Sequence, residues 1–427
     1  MNKKLSRYII PSVISMVLVG TYTNIDGFFI GNAAGDDGLA AINIVWPIVA
    51  FITALGTGIG VGGSVILNNL RGANCNREAE SVKKTLIAVL AIVGIVISVL
   101  FTAIYKPILK LMGASGQVLI YSENYSLVIC WGAIFQIMGA GLVVLLRNEN
   151  KTYLSMLYTI IGLVVHIVLD ILLVNKYKLY GVAFATVIAQ IAIMVPGLLS
   201  VKIEKGIKMC KKYAVDMLKR ATAPFGVNFV SSVVLLFTNY FALSIGGTAA
   251  VSAYAVMSYA VYTFDYIFQG VCDGIQPVVS FCRGSRDIKG ENHAMKCAAI
   301  ILVLCSTLFI LLTPALIRIM PGLFAVSSDA ENMMISGFVI YACSYPFKAA
   351  VKYMCSYYYA IGSTTLSNAL TYLDPLVLTP LFLIVLPRIF GMNGIWLAMT
   401  LAQVVLSIIG TITMISKTKT ACIKEKI

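Results

Sequence analysis

Only 12% of the 427 residues are charged, so the few that stand inside apolar runs are where chemistry is to be sought. In the first half these are Asp26, His166 and Asp170. His166 and Asp170 are spaced i,i+4, which puts them on one face of a helix. Away from water, a carboxylate stays charged only beside a cation or inside a full shell of hydrogen-bond donors, and otherwise takes up a proton. That chemistry suits a carrier of protons or sodium. The plainer alternative is a static polar network that ties two segments together.

The second half carries a different set. Tyr259, Tyr262, Tyr266, Gln269 and Asp273 fall at alternating steps of three and four, which makes one helical stripe beside Asp265. Tyr341, Tyr345, Lys348, Lys352 and Tyr359 repeat the idea in a later segment, and Asp374 follows in the next. Tyrosine faces attract organic cations, which an acid neutralises. Lys348 and Lys352 argue against a simple cation trap and leave room for zwitterionic or anionic solutes. Asp–Lys pairs that only fix helix packing are the competing account.

Other chemistries find no support. Gly56, Gly58, Gly60, Gly62 and Gly63 are followed by no Lys-Ser/Thr, so they read as close helix packing or a hinge and not as a phosphate loop. The only histidines are His166 and His293, with no HExxH motif and no Ser/His/Asp set, so an enzyme is not expected and no cofactor is called for. Ten cysteines form no CxxC pair and read as reduced packing residues, not ligands of a structural metal.

The elements that hold these residues are membrane spans. Hydrophobic residues make up 59% of the chain and the mean hydropathy is +0.90, so lipid is the expected solvent. Lipid offers no partner for an open backbone hydrogen bond, and a crossing helix takes about 20 residues. Twelve such stretches lie near 8–31, 39–70, 85–104, 120–146, 153–175, 180–201, 221–245, 250–281, 297–317, 333–360, 366–387 and 394–415. The first contains Asp26 and belongs to the repeat below, so it reads as a span and not as a signal peptide.

Basic residues segregate between the loops, 24 on one face against six on the other, which places both termini in the cytoplasm. The charge of +14 is therefore a topology signal, and no nucleic-acid partner is expected. Shifting the sequence by 212 or 213 positions superposes its halves: Arg71-Gly72 on Arg283-Gly284, Leu154-Ser155 on Leu366-Ser367, and Gly181 and Gln190 on Gly394 and Gln403. The expected fold is an all-α membrane protein of twelve transmembrane helices in two pseudo-symmetric six-helix lobes. Residues 1–201 form the first lobe, 202–220 a basic cytoplasmic linker, 221–415 the second lobe and 416–427 a cytoplasmic tail. Parallel repeats of this kind suit a secondary transporter, for which a monomer suffices.

Several of these segments resemble the multidrug and toxic compound extrusion (MATE) transporters, in particular the bacterial damage-inducible-F-like branch. The resemblance is carried by Pro11 followed by Asp26 within Asn24-Ile25-Asp26-Gly27-Phe28-Phe29-Ile30-Gly31, by His166-Ile167-Val168-Leu169-Asp170, by Gly181 to Thr186, and by Gly274-Ile275-Gln276-Pro277 before Arg283-Gly284. It implies two lobes that open alternately in a cell (inner) membrane, with small amphipathic solutes, chiefly organic cations, exported against entry of H+ or Na+. It also implies a cation site at Asp26, Asp170 and Thr186 with Asn24 alongside, and a bend of the first helix at Pro11. Relatives usually have Asn where this chain has His166. Imidazole is a poor ligand for a hard cation and a good proton exchanger, which favours H+ over Na+. A lipid-linked oligosaccharide flippase of the same superfamily is the alternative, and would call for a basic central cavity.

Overall fold

The computed structural model describes residues 3–204, 206–324 and 326–424, and helices make up nearly all of it. Eight helices are long and apolar enough to cross a membrane, and two further pairs, bent by 57° and 49°, cross as broken spans. Two of the eight, Thr152–Ser200 and Lys211–Ser285, run 49 and 75 residues, and a single non-helical residue interrupts each, Lys178 and Gly247. A crossing takes about 20 residues, so each of these counts twice and the candidate spans among the described residues number twelve.

In chain order they are α1 (3–34), α2 (36–72), α3 (Asn76–Leu111), α4 (Gly116–Trp131 and Ala133–Asn148), α5 (152–177) and α6 (179–200). The second half repeats them as α7 (211–246), α8 (248–285), α9 (Ile288–Leu323), α10 (Ser328–Ala342 and Tyr345–Ala360), α11 (Thr364–Phe390) and α12 (Met392–Lys424). Between the halves, the described residues 201–204 and 206–210 are non-helical, and α7 begins at Lys211. That stretch is shorter than the 202–220 expected. The connector lies on α3, where Ser81 and Lys84 donate to the carbonyls of Lys208 and Ile207. α12 stays helical past residue 416 to Lys424, and residues 425–427 lie outside the description.

The duplication reaches the backbone torsions. Gly35 (φ 59°, ψ −150°) turns the chain between α1 and α2, and Gly247 (φ 64°, ψ −156°) does so 212 residues later. Left-handed Asn74 and Asn150 end α2 and α4, and Arg286 and Gly362 end α8 and α10 at the same offset. Ser155 donates to the Val143 carbonyl at 3.0 Å, and Ser367 to that of Cys355 at 3.1 Å. The α5–α6 turn is the informative exception. Lys178 sits at φ 47°, ψ −131°, where its counterpart, at φ 55°, ψ −133°, is Gly391. Only glycine occupies that region without strain. Lys178→Gly is therefore expected to stabilise the protein by ~1 kcal/mol, even with loss of the Lys178 donation to Tyr121. A thermal melt in detergent should rise by a few degrees, and a fall would contradict the strain.

Lipid removes most of the hydrophobic drive between helices, so close packing has to come from small residues. The glycines of α2 divide their work. Gly56 and Gly60 face α4, where an added Cβ would lie 2.5 Å from the Ile137 carbonyl and 2.9 Å from Gly141 Cα. Gly58 and Gly62 face α7 in the other half, and a Cβ on Gly62 would stand 2.4 Å from the Met217 carbonyl. Gly270 and Gly274 of α8 press on α1 at Val13 and Ile9, and Gly284 meets the Asn69 carbonyl, with 2.0 Å left for a Cβ. The two halves thus meet backbone to backbone along α1, α2, α7 and α8. The seam runs from Gly20, which abuts Tyr266, and Phe51, which packs edge-on to Phe225 and Phe229, down to the face that carries the basic loops. Pro11 lies in this seam region, and α1 keeps helical torsions through it.

Candidate functional site

In the first half, three helices converge on one imidazole nitrogen. His166 Nε2 lies 3.0 Å from Asp26 Oδ1 of α1, 3.6 Å from Asp170 Oδ2 one turn along α5, and 3.3 Å from Thr186 Oγ1 of α6. All four side chains are buried, His166 and Asp170 completely. The structure therefore brings together Asp26, His166, Asp170 and Thr186. The side chain of Asn24 lies outside those described. Two tyrosines that the sequence reading passed over complete the wall. The Tyr22 ring lies 4.9 Å from that of His166, and Tyr125 of α4 points its hydroxyl at Asp26 Oδ2 over 3.5 Å. Tyr22 was open to inference, being four residues before Asp26 on the same helix face. Tyr125 comes from a different helix and carried no local signal.

The arrangement limits what the cluster can hold. A proton on Nε2 can serve one oxygen at a time, while Nδ1 and both carboxyl oxygens of Asp170 have no hydrogen-bond partner among the described residues. With His166 protonated and both acids ionised, the net charge is −1. One more monovalent cation, a proton included, makes it neutral, which is the state a buried site favours. The donor atoms of Asp26, His166 and Asp170 lie within 4.8 Å of one another, close enough to share one ion.

The second half divides its charges into two groups. Asp265 of α8 pairs with Lys352 at 2.9 Å and Lys348 at 3.3 Å, both on α10. Asp374 stands apart at the head of a π-helical turn in α11, Asp374–Leu378, accepting from Thr379 at 2.6 Å and Gln403 at 2.7 Å. Asp273 pairs with neither lysine. Its partner is Arg147 of α4, at 3.1 Å across the seam, with both side chains 4% exposed. Arg147 is one of the 24 basic residues that the sequence places on the cytoplasmic face, but it stands in the last turn of a span and is buried. Gln269 donates to Asp273 and accepts from Lys352, so the seam pair and the Asp265 group are contiguous.

The tyrosine stripe does not act as a unit. Tyr259 is outside, stacked on Phe324, Tyr262 lines a cavity with Lys348 and Asp374, and Tyr266 packs on Gly20 at the seam. Tyr345 belongs to the apolar core with Phe264 and Phe309, and lines no cavity described here.

Comparison with known proteins fits this geometry. The MatE family model matches residues 11–172, the stretch that holds Asp26, His166 and Asp170. The multidrug export protein MepA of Staphylococcus saprophyticus is 22% identical over 420 residues, covering 94% of this chain and 91% of its own. The probable multidrug resistance protein YoeA of Bacillus subtilis is 24% identical over 278 residues, 60% of this chain and 59% of its own. Among solved structures, the outward-facing conformation of a multidrug resistance MATE family transporter of the MOP superfamily superposes with a TM-score of 0.90 at 20% identity, covering 99% of this chain and 96% of the other. A MOP superfamily transporter from Pyrococcus furiosus superposes at 0.89 with 20% identity, over 98% and 96%. With a family-model match over the buried ionisable cluster, relatives aligned along nearly the whole length and the same fold in two halves, this multi-pass membrane protein is similar to the MatE family of transporters.

Proposed function

We propose that the protein exports small amphipathic solutes from the cell in exchange for a proton bound at Asp26, His166 and Asp170. The observation that carries the proton assignment is the place of His166 Nε2. It sits 3.0 and 3.6 Å from the very oxygens a sodium ion would need, and a protonated ring there repels a second cation more strongly than it hinders a proton hop between neighbours. The printed functions of the relatives, multidrug export and multidrug resistance, support solute export as the coarse activity. Both termini are read as cytoplasmic from the basic loops, the membrane as the cell (inner) membrane, and a monomer as sufficient.

On this reading the seam is the cytoplasmic gate in its closed state. The glycine contacts and the Arg147–Asp273 pair hold the halves together toward the basic face. Proton binding at α1, α5 and α6 biases which face opens, since a ligand shifts a conformational equilibrium only by its difference in affinity for the two states.

Purified protein in liposomes tests this, with ethidium as solute and either a pH or a sodium gradient imposed. The expected result is uptake driven by the pH gradient, collapsed by a protonophore and unchanged by sodium. Strict dependence on sodium at constant pH would overturn the proton assignment, and no gradient-driven movement of any tested solute would overturn export.

A further inference from the structure

The second half encloses a cavity of about 70 Å³ between α7, α8, α10, α11 and α12, and its wall carries opposite charges. Lys348 and Asp374 both line it, with the hydroxyl-bearing Tyr254, Tyr262 and Tyr341 and the amide of Gln403. Lys348 shares Asp265 with Lys352, and it is also the ammonium whose charge reaches Asp374, so each of the two has a counter-ion that it does not hold alone. Asp265 lies closer to Lys352, so Lys348 is the less fully paired cation. Asp374 is hydrogen-bonded only by neutral donors, Thr379 and Gln403.

Around this cavity and the adjoining seam, Arg147, Lys348 and Lys352 balance Asp265, Asp273 and Asp374 one for one. A lone cation entering would compete with Lys348 for the field of Asp374, and a lone anion would compete with Asp374 for that of Lys348. Either leaves an uncompensated charge where desolvation is costly. A solute carrying both signs leaves the balance unchanged and gives Lys348 and Asp374 each a further partner of opposite charge. The volume, about that of two liquid waters, limits what enters to the small charged end of a solute.

We infer that this cavity is a binding site for zwitterionic head groups of the α-amino-acid type, with Lys348 taking the anionic end and Asp374 the cationic end. The rest of such a solute lies outside the cavity. The inference rests on the export reading above and narrows its substrate class.

Three probes with one fluorophore test it: Nε-dansyl-lysine, which keeps both charges of the head group, its methyl ester, which keeps only the ammonium, and its Nα-acetyl derivative, which keeps only the carboxylate. Dansyl fluorescence on purified protein in detergent reads binding without transport. The wild type is expected to bind the zwitterion about tenfold more tightly than either analogue, the usual size of one charge-assisted hydrogen bond. Lys348→Met should erase the margin over the methyl ester, and Asp374→Asn the margin over the acetyl derivative. Equal or tighter binding of either analogue to the wild type overturns the inference, and this arm needs no variant to fold. Margins that survive both substitutions, or no binding of any probe, overturn it as well. Ethidium export by the same wild-type preparation reports on the transporter reading separately.

Discussion

Asp26→Asn protein is expected to lose gradient-driven export while still binding its solutes. Asparagine keeps the shape of the side chain and its contact with Tyr125, but it cannot ionise. The remaining pair, a protonated His166 and Asp170, is neutral at 3.6 Å and has no use for a further cation. Ion binding then no longer separates the two states, and the gradient loses its grip on them. Driving a two-state equilibrium from one side to the other takes about 10⁴-fold differential affinity, so loss of the charge should cut export by on the order of 100-fold or more. Fluorescence binding of the same solutes in detergent should change by less than about threefold, since the site is remote from the second-half cavity. Normal accumulation by Asp26→Asn in liposomes would show that the first-half cluster is structural only.

The second large effect is expected at Arg147 and Asp273. Both side chains are buried in the seam, and Asp273 is further held by Gln269 at 2.8 Å. Removing one partner strands the other charge, a loss of about 3–5 kcal/mol of the closed form. Opening toward the basic face relieves it, because the stranded charge then meets water. Arg147→Met and Asp273→Asn are each expected to lengthen the distance between spin labels at Arg77 and Lys289, two exposed positions on the basic face in opposite halves. Exchanging the residues, Arg147→Asp with Asp273→Arg, should recover much of the short distance, and the double-mutant cycle should show coupling of ~2 kcal/mol or more. Unchanged distances in both single variants would mean the pair is not part of the gate.

The span count was legible because lipid leaves the backbone no alternative to helix, and a charge-poor run of the right length is sufficient notice. The duplication was legible too, because Arg71-Gly72, Leu154-Ser155 and Gly181 recur in register at the ends and contacts of the repeated helices, whereas the shared torsions of Gly35 and Gly247 emerge only in the structure. Within the sites, contacts internal to one helix could be read and contacts between helices could not. His166 and Asp170 were paired by spacing alone. Asp273 was assigned to the lysines of α10, yet its partner is on α4, because sequence does not say which faces of α4 and α8 meet. The stripe on α8 failed for a related reason. One face of that helix passes in turn along an outer loop, a cavity and the seam, so residues in line along it have different neighbours.

Where the seam is glycine against backbone, away from the Phe51 and Tyr266 contacts, it has no interlocking knobs. Nothing along Gly62, Gly270, Gly274 and Gly284 has to change rotamer before the halves part. Contact of this kind is lost over a very short distance, since a gap of 0.5–1 Å already forfeits about a quarter to a half of the dispersion attraction. A gate of the kind proposed above would therefore have almost no half-open register along this stretch.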